Sequence, residues 1–171
     1  MAVASSITVE SDRSISSLIK HYENVSFSLY KSHNVNAKRN LYYGNIFNML
    51  TILTTAFTGT ASVSLMFKDY PILKTTNAIL SYTIAVSGMI QKSYNPIKRY
   101  QQHKEASESY LTLYYNIREY QTFHAQDDDT VLIEWAKGIN DLLEKYRKDY
   151  PYISDNVYDK VKTKIASKNV V

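Results

Sequence analysis

The chain has 171 residues, with 20 Lys and Arg against 16 Asp and Glu and no cysteine. That length suits one domain of ordinary size, and the missing cysteine excludes a disulfide framework, a thiolate zinc site and a cysteine nucleophile. With 44% hydrophobic and 21% charged residues, it is neither a low-complexity disordered chain nor an apolar multi-span protein. The net charge of +4 is mild, so its meaning depends on where the charges lie.

In chain order, residues 1–13 are rich in Ser and Thr without helical period and are expected to form a flexible tail. Residues 14–40 are expected to form an amino-terminal helix, loosely carried by Ile15, Leu18, Ile19, Tyr22, Val25, Phe27 and Leu29 and ending on Lys38 and Arg39. The charges then disappear. Asn40 to Phe67 is a run of 28 residues without Asp, Glu, Lys, Arg or His, and Thr75 to Gln91 is a second run of 17. At 1.5 Å per residue the first reaches roughly 40 Å, against a hydrocarbon core roughly 30 Å thick. The second reaches spanning length with Ile72 and Leu73 added and Lys74 snorkelling. Between them Lys68-Asp69-Tyr70-Pro71 has the chemistry of a tight turn. Residues 43–94 are therefore expected to form a transmembrane hairpin, with spans at about 45–67 and 72–92.

Both spans are rich in hydroxyls, which can bond back to the carbonyl one turn earlier and let helices approach closely. Thr51, Thr55 and Gly59 share one face, and Asn77, Ser81, Ala85 and Gly88 share another. These are the expected faces for helix packing, for contact between copies or for lining a pore. Arg39, Tyr42, Tyr43, Lys68, Tyr70, Lys74, Lys92 and Tyr94 stand where amphipathic and cationic side chains anchor a span at the headgroups. Seven bases flank the hairpin on its terminal side and two lie in its loop, which places both termini in the cytoplasm by the positive-inside rule. Met1 to Ser6 lacks the basic start and apolar core of a secretory signal.

The region 96–171 reads as cytoplasmic helices. Pro96 suits a first helical turn, and Tyr100, His103, Ser107, Tyr110, Tyr114, Ile117 and Gln121 repeat at three-four spacing, the seam of a coiled-coil-like contact. Asp127, Asp128 and Asp129 stand where carboxylates cap a helix over about 130–149, with Leu132, Trp135, Ile139, Leu142, Leu143 and Tyr146 on its buried side. Tyr150-Pro151 stops it, and a last helix from about Ser154 presents Val157, Val161 and Ile165 opposite Lys160, Lys162 and Lys164.

Catalytic chemistry has no foothold in this sequence. His21, His33, His103 and His124 show no ligand spacing, Asp127 to Asp129 lack the pattern of a calcium loop, and there is no phosphate-binding glycine loop or nucleophile elbow. No enzyme activity, metal or cofactor is expected. The basic residues fit acidic lipid headgroups better than nucleic acid.

The order of parts, with His103 and Tyr110 seven residues apart in YNPIKRYQQHKEASESYLTLYYNIREY and Leu142 to Tyr146 followed by Tyr150-Pro151-Tyr152, resembles the SLATT domain. This is the two-transmembrane effector domain associated with SMODS and SLOG domains, and the likeness spans roughly residues 20–160. What the resemblance implies is a homo-oligomeric membrane effector that permeabilises a bilayer when a partner senses a signal. These residues leave no room for a fused sensor domain, so either the trigger is a separate protein or the module has been reused. SLATT-like proteins also occur in large DNA viruses, so a structural membrane protein contacting virion capsid proteins is an alternative. A second is a soluble helical bundle.

The expectation is thus an all-α protein with a two-helix membrane hairpin and a cytoplasmic helical bundle, self-associating to form or gate a pore.

Overall fold

No Gly or Pro precedes Gly44, so nothing local stops a helix once it has started. In the computed structural model a single helix, α1, runs from Ala2 to Ser64. It takes in residues 2–13, expected as a tail, the amino-terminal helix and most of the first expected span. It is followed by α2 (Pro71–Tyr94), α3 (Pro96–Phe123), α4 (Asp129–Asp149) and α5 (Asp155–Lys168). The structure describes residues 2–64, 71–123 and 128–168, the side chains of 2–14, 60–64, 73, 129 and 168 aside. Among the described residues every element is a helix. Lys68, Tyr70, His124 and Asp127, and the tight turn itself, lie outside them.

Each proline marks a boundary. Pro71 opens α2, Pro96 opens α3, and Pro151 follows Tyr150 at the end of α4, as expected of a residue without an N–H. Asp128 occupies the N-cap position of α4 with extended backbone, yet its side chain makes no cap hydrogen bond. Its carbonyl instead accepts from the Val131 and Leu132 N–H groups at 2.9 and 3.2 Å. The expected carboxylate cap is therefore a matter of position and charge, not of hydrogen bonding.

The chain divides into two compact units. One is residues 1–36 with 102–171, and the other is residues 37–101. In the first, here the bundle unit, α1 and α3 run antiparallel: Glu23 faces Arg118, and Ser107 Oγ donates to the Tyr30 carbonyl at 3.2 Å. α4 packs on this pair, closing a core of Ile15, Ile19, Tyr110, Leu113, Ile117, Ile139 and Leu143. The Tyr120 and Trp135 rings stack 3.9 Å apart. The three-four seam of α3 is present but centred slightly to one side. His103, Ala106, Ser107, Tyr110, Leu113 and Ile117 are buried, whereas Tyr100, Tyr114 and Gln121 are half-buried. In α4 the buried face holds Ala136, Ile139 and Leu143, while Leu142, expected inside, is exposed.

In the second, here the hairpin unit, α2 returns along the end of α1. Gln91 Nε2 donates to Thr51 Oγ1 at 3.2 Å, and the Tyr94 hydroxyl donates to Asn40 Oδ1 at 3.0 Å. A single residue, Asn95, joins α2 to α3. Its φ of 41° lies in the left-handed region, which Asn tolerates better than other side chains. From there it serves both helices. Its N–H bonds the Gln91 carbonyl at 2.9 Å, and its Oδ1 accepts from the Lys98 N–H at 3.0 Å, closing one helix and capping the next. Gly44 stands at this close approach, where a Cβ would lie 2.6 Å from Ile97 Cδ1, the free end of a side chain.

Candidate functional site

Two places are built differently from an ordinary helical surface. The first is the hairpin unit. Between the two helices the buried side chains are small and polar, Thr54 and Ser87, and the half-buried Thr51, Thr58 and Asn77 share the seam with Phe47, Leu80, Ile84 and Val86. Seven of its large apolar side chains point outward: Met49, Ile52, Phe57, Ile72, Ile79, Tyr82 and Met89 are all at least 60% exposed. A helix pair in water normally does the reverse.

The hydroxyls do not leave the helices polar. Thr51, Thr54, Thr58, Thr75, Thr76 and Thr83 each donate to the carbonyl four residues back, at 2.7 to 3.2 Å. Such a hydroxyl is satisfied without water, so its cost in an apolar medium is far below that of a free one. By composition alone, however, no helix of the described residues is long and apolar enough to cross a membrane. The Asn77 amide oxygen is buried and has no hydrogen-bond partner among the described residues.

Of the faces expected to pack, Thr51 and Asn77 lie toward the seam, whereas Thr55, Gly59, Ser81 and Gly88 are exposed. A Cβ added at Gly59 or Gly88 would meet nothing within 4 Å. The seam inside the unit runs instead through Thr54 and Ser87, one position away from Thr55 and Gly88. Among the expected anchors, Tyr42, Tyr43 and Tyr94 are exposed, as are Arg39, Lys74 and Lys92. The Arg39 guanidinium lies over the Tyr43 ring at 5.6 Å.

The second place is inside the bundle unit. His33 on α1 meets His103 on α3, Nδ1 to Nδ1 at 2.9 Å, and both rings are buried. Tyr110, two turns along α3, stacks on His33 with centroids 5.4 Å apart and 21° between the planes. Tyr150 meets His33 edge-on at 6.5 Å, and its hydroxyl shares a 2.7 Å hydrogen bond with Ser109. Burial, and then the neighbouring His103 charge, lower the His33 pKa to about 4. Burial pushes Tyr110 up to about 12, with the Arg147 charge opposing and Tyr150 and Tyr146 adding.

Two facing Nδ1 atoms hold one hydrogen between them, so one ring donates and the other accepts. A first extra proton can sit on an outer nitrogen and leave this bond intact. A second would set N–H against N–H. A cavity of about 300 Å³ opens beside the cluster, lined by His33, Tyr110, Arg147, Tyr150 and Pro151 among others. Of the residues that carry the SLATT resemblance, His103 and Tyr110 meet His33 directly, and Pro151 lines the same cavity. Their partner was not legible, since 70 residues separate the two histidines. Among the described residues no three His, Asp or Glu side chains come together as a metal site.

The profile of DUF4231, a family described as proteins of unknown function, matches residues 26–122. The chain belongs to that family. The match takes in both histidines of the pair, Tyr110, and the whole hairpin unit, and it ends before Pro151. No curated protein and no solved structure matches the chain.

Proposed function

We propose that this protein is a self-associating membrane effector whose residues 37–101 enter the bilayer as a two-helix hairpin and form or gate a pore. The observation that carries this reading is the hairpin unit's arrangement, with the hydroxyls of Thr54 and Ser87 buried in its seam while seven large apolar side chains face outward. Three further features support it. Two charge-free runs make up most of the unit, the threonine hydroxyls are satisfied by their own helices, and the order of elements resembles SLATT effectors. On this reading the exposed small-residue faces, Thr55 with Gly59 and Ser81 with Gly88, are where copies meet, because small residues let membrane helices approach. The cytoplasmic bundle is the part that receives a trigger, and its buried histidine pair and tyrosine cavity are its most specialised feature.

Purified protein reconstituted in phosphatidylcholine vesicles provides the test. Resistance to carbonate extraction, oligomers on crosslinking and release of an entrapped dye are expected. A monomer that leaks nothing under any trigger sinks the effector reading. A second reading rests on the modest apolarity of α1 and α2: the hairpin unit is covered by another protein, and the molecule is a helical adaptor. Carbonate separates the two, since a protein held by protein contacts is released to the supernatant.

A further inference from the structure

The hairpin unit carries seven Lys and Arg and one acid, Asp69. Five of these cations, Lys38, Arg39, Lys92, Lys98 and Arg99, lie within two helical turns of the hydrogen bond between Tyr94 and Asn40. All five side chains are exposed. Among the described residues the ion pairs are Lys104 with Glu108 and Arg118 with Glu23, so none of the five has a carboxylate to neutralise it. The group is also ordered. Tyr94 is held by Asn40, and the Arg99 guanidinium lies over the Tyr94 ring at 4.4 Å. Asn95 holds the start of the helix that carries Lys98 and Arg99, and Arg39 is held over Tyr43. Five unpaired cations at one end of a small unit repel one another, and an anion from outside relieves that repulsion.

We propose that this end of the hairpin unit is a binding site for the phosphate groups of anionic lipids, with Arg39 and Arg99 as direct ligands and Tyr94 as the residue that positions Arg99. Arginine suits this role because its planar fork bonds phosphate oxygens in pairs. A lipid fits better than a nucleic acid because the cations adjoin Tyr42, Tyr43 and Ile46, all exposed. A headgroup layer accommodates cations and apolar rings side by side, whereas a nucleic acid in water would leave the rings uncovered. The inference rests on the membrane reading and adds to it a lipid class and its ligands.

The test uses the full chain in vesicles of phosphatidylcholine mixed in equal parts with phosphatidylglycerol, extracted in mild detergent, with retained lipids counted by native mass spectrometry. Phosphatidylglycerol is expected to be retained over phosphatidylcholine. Arg39→Gln and Arg99→Gln should each cut that preference about fivefold, the equivalent of about 1 kcal/mol per cation near a surface. Tyr94→Leu should cut it about threefold with every charge kept. Lys160→Gln with Lys164→Gln, on α5 of the other unit, should leave it unchanged. Equal retention of both lipids by a chain that resists carbonate overturns the site and leaves the hairpin reading standing. An unchanged preference in Tyr94→Leu overturns the positioned site in favour of diffuse charge. Release of the wild-type chain by carbonate overturns the hairpin reading on which the site rests.

Discussion

The two units share α1 and bury different kinds of side chain along it. In the bundle unit, α1 and α3 bury Ile15, Ile19, Tyr110, Leu113 and Ile117 and present charge outward. In the hairpin unit, α1 and α2 bury Thr54 and Ser87 and present Ile52, Phe57 and Met89. The two patterns meet along the continuous α1 near Ala37, inside a longer stretch whose charge balance also differs from the rest. Residues 24–104 carry nine bases and one acid, and the remainder eleven bases and fifteen acids. The net +4 is therefore the difference of two opposed regions and says little about either one.

The contrast breaks most severely where the bundle core is emptied. Tyr110→Ala removes a fully buried ring that packs on His33, Tyr146 and Tyr150. It should cost about 3–5 kcal/mol, read as a lowered midpoint in denaturant. The matching change in the hairpin unit has the opposite logic. Phe57 is 63% exposed, so Phe57→Lys should leave a protein in water almost untouched. In a bilayer a lysine at mid-span costs roughly 2.5–3.5 kcal/mol, and the variant should lose carbonate resistance.

Acid probes the bundle unit again. The His33 pKa lies below its unfolded value of 6.5, at about 4. Its contribution to stability is therefore fully present above pH 6.5 and is lost as pH falls toward 4. A shift of that size is worth about 3 kcal/mol. Melting temperature followed against pH should show this loss, and His33→Phe should flatten that stretch of the curve.

Smaller effects test the joint. Asn95→Ala removes the cap to Lys98 and places an alanine at a φ of 41°, for a cost of about 1–2 kcal/mol. Asn95→Gly, which suits that backbone, should cost less. Least of all, Gly44→Ala crowds the end of the Ile97 side chain, which can turn away, and gains helix propensity. Its net effect on the melting midpoint should stay within about 1 kcal/mol.

What could be read without coordinates follows a physical line. Pro71, Pro96 and Pro151 mark helix ends because a missing N–H acts locally, and the expected start at Pro96 and the expected helix over 130–149 match α3 and α4 closely. The three-four seam of α3 was legible because charged and uncharged positions alternate there. In the charge-free runs that contrast vanishes. Thr54 and Thr55 look alike in sequence, and so do Ser87 and Gly88, and the buried member of each pair was missed. The continuity of α1 through residues 2–13 was missed for a related reason: Ser and Thr weaken a helix without stopping it. His33 facing His103 is a long-range fact. The signal available was weak: two helices carrying small buried residues, Ser26, Ser32 and Ala37 on one and Ala106 and Ser107 on the other, fit a close antiparallel pair.

The one-residue joint also has a chemical lifetime. Asparagines most often deamidate when the nitrogen of the next residue attacks their amide carbon, a reaction that requires that nitrogen to carry a hydrogen. Asn95 is followed by Pro96, whose nitrogen carries none. An aged protein therefore does not acquire a carboxylate at this position by that route. Had Gly followed, as it often does where the backbone turns left-handed, time alone would place a negative charge beside Lys98 and Arg99 and offset one of the five cations at the most basic end of the hairpin.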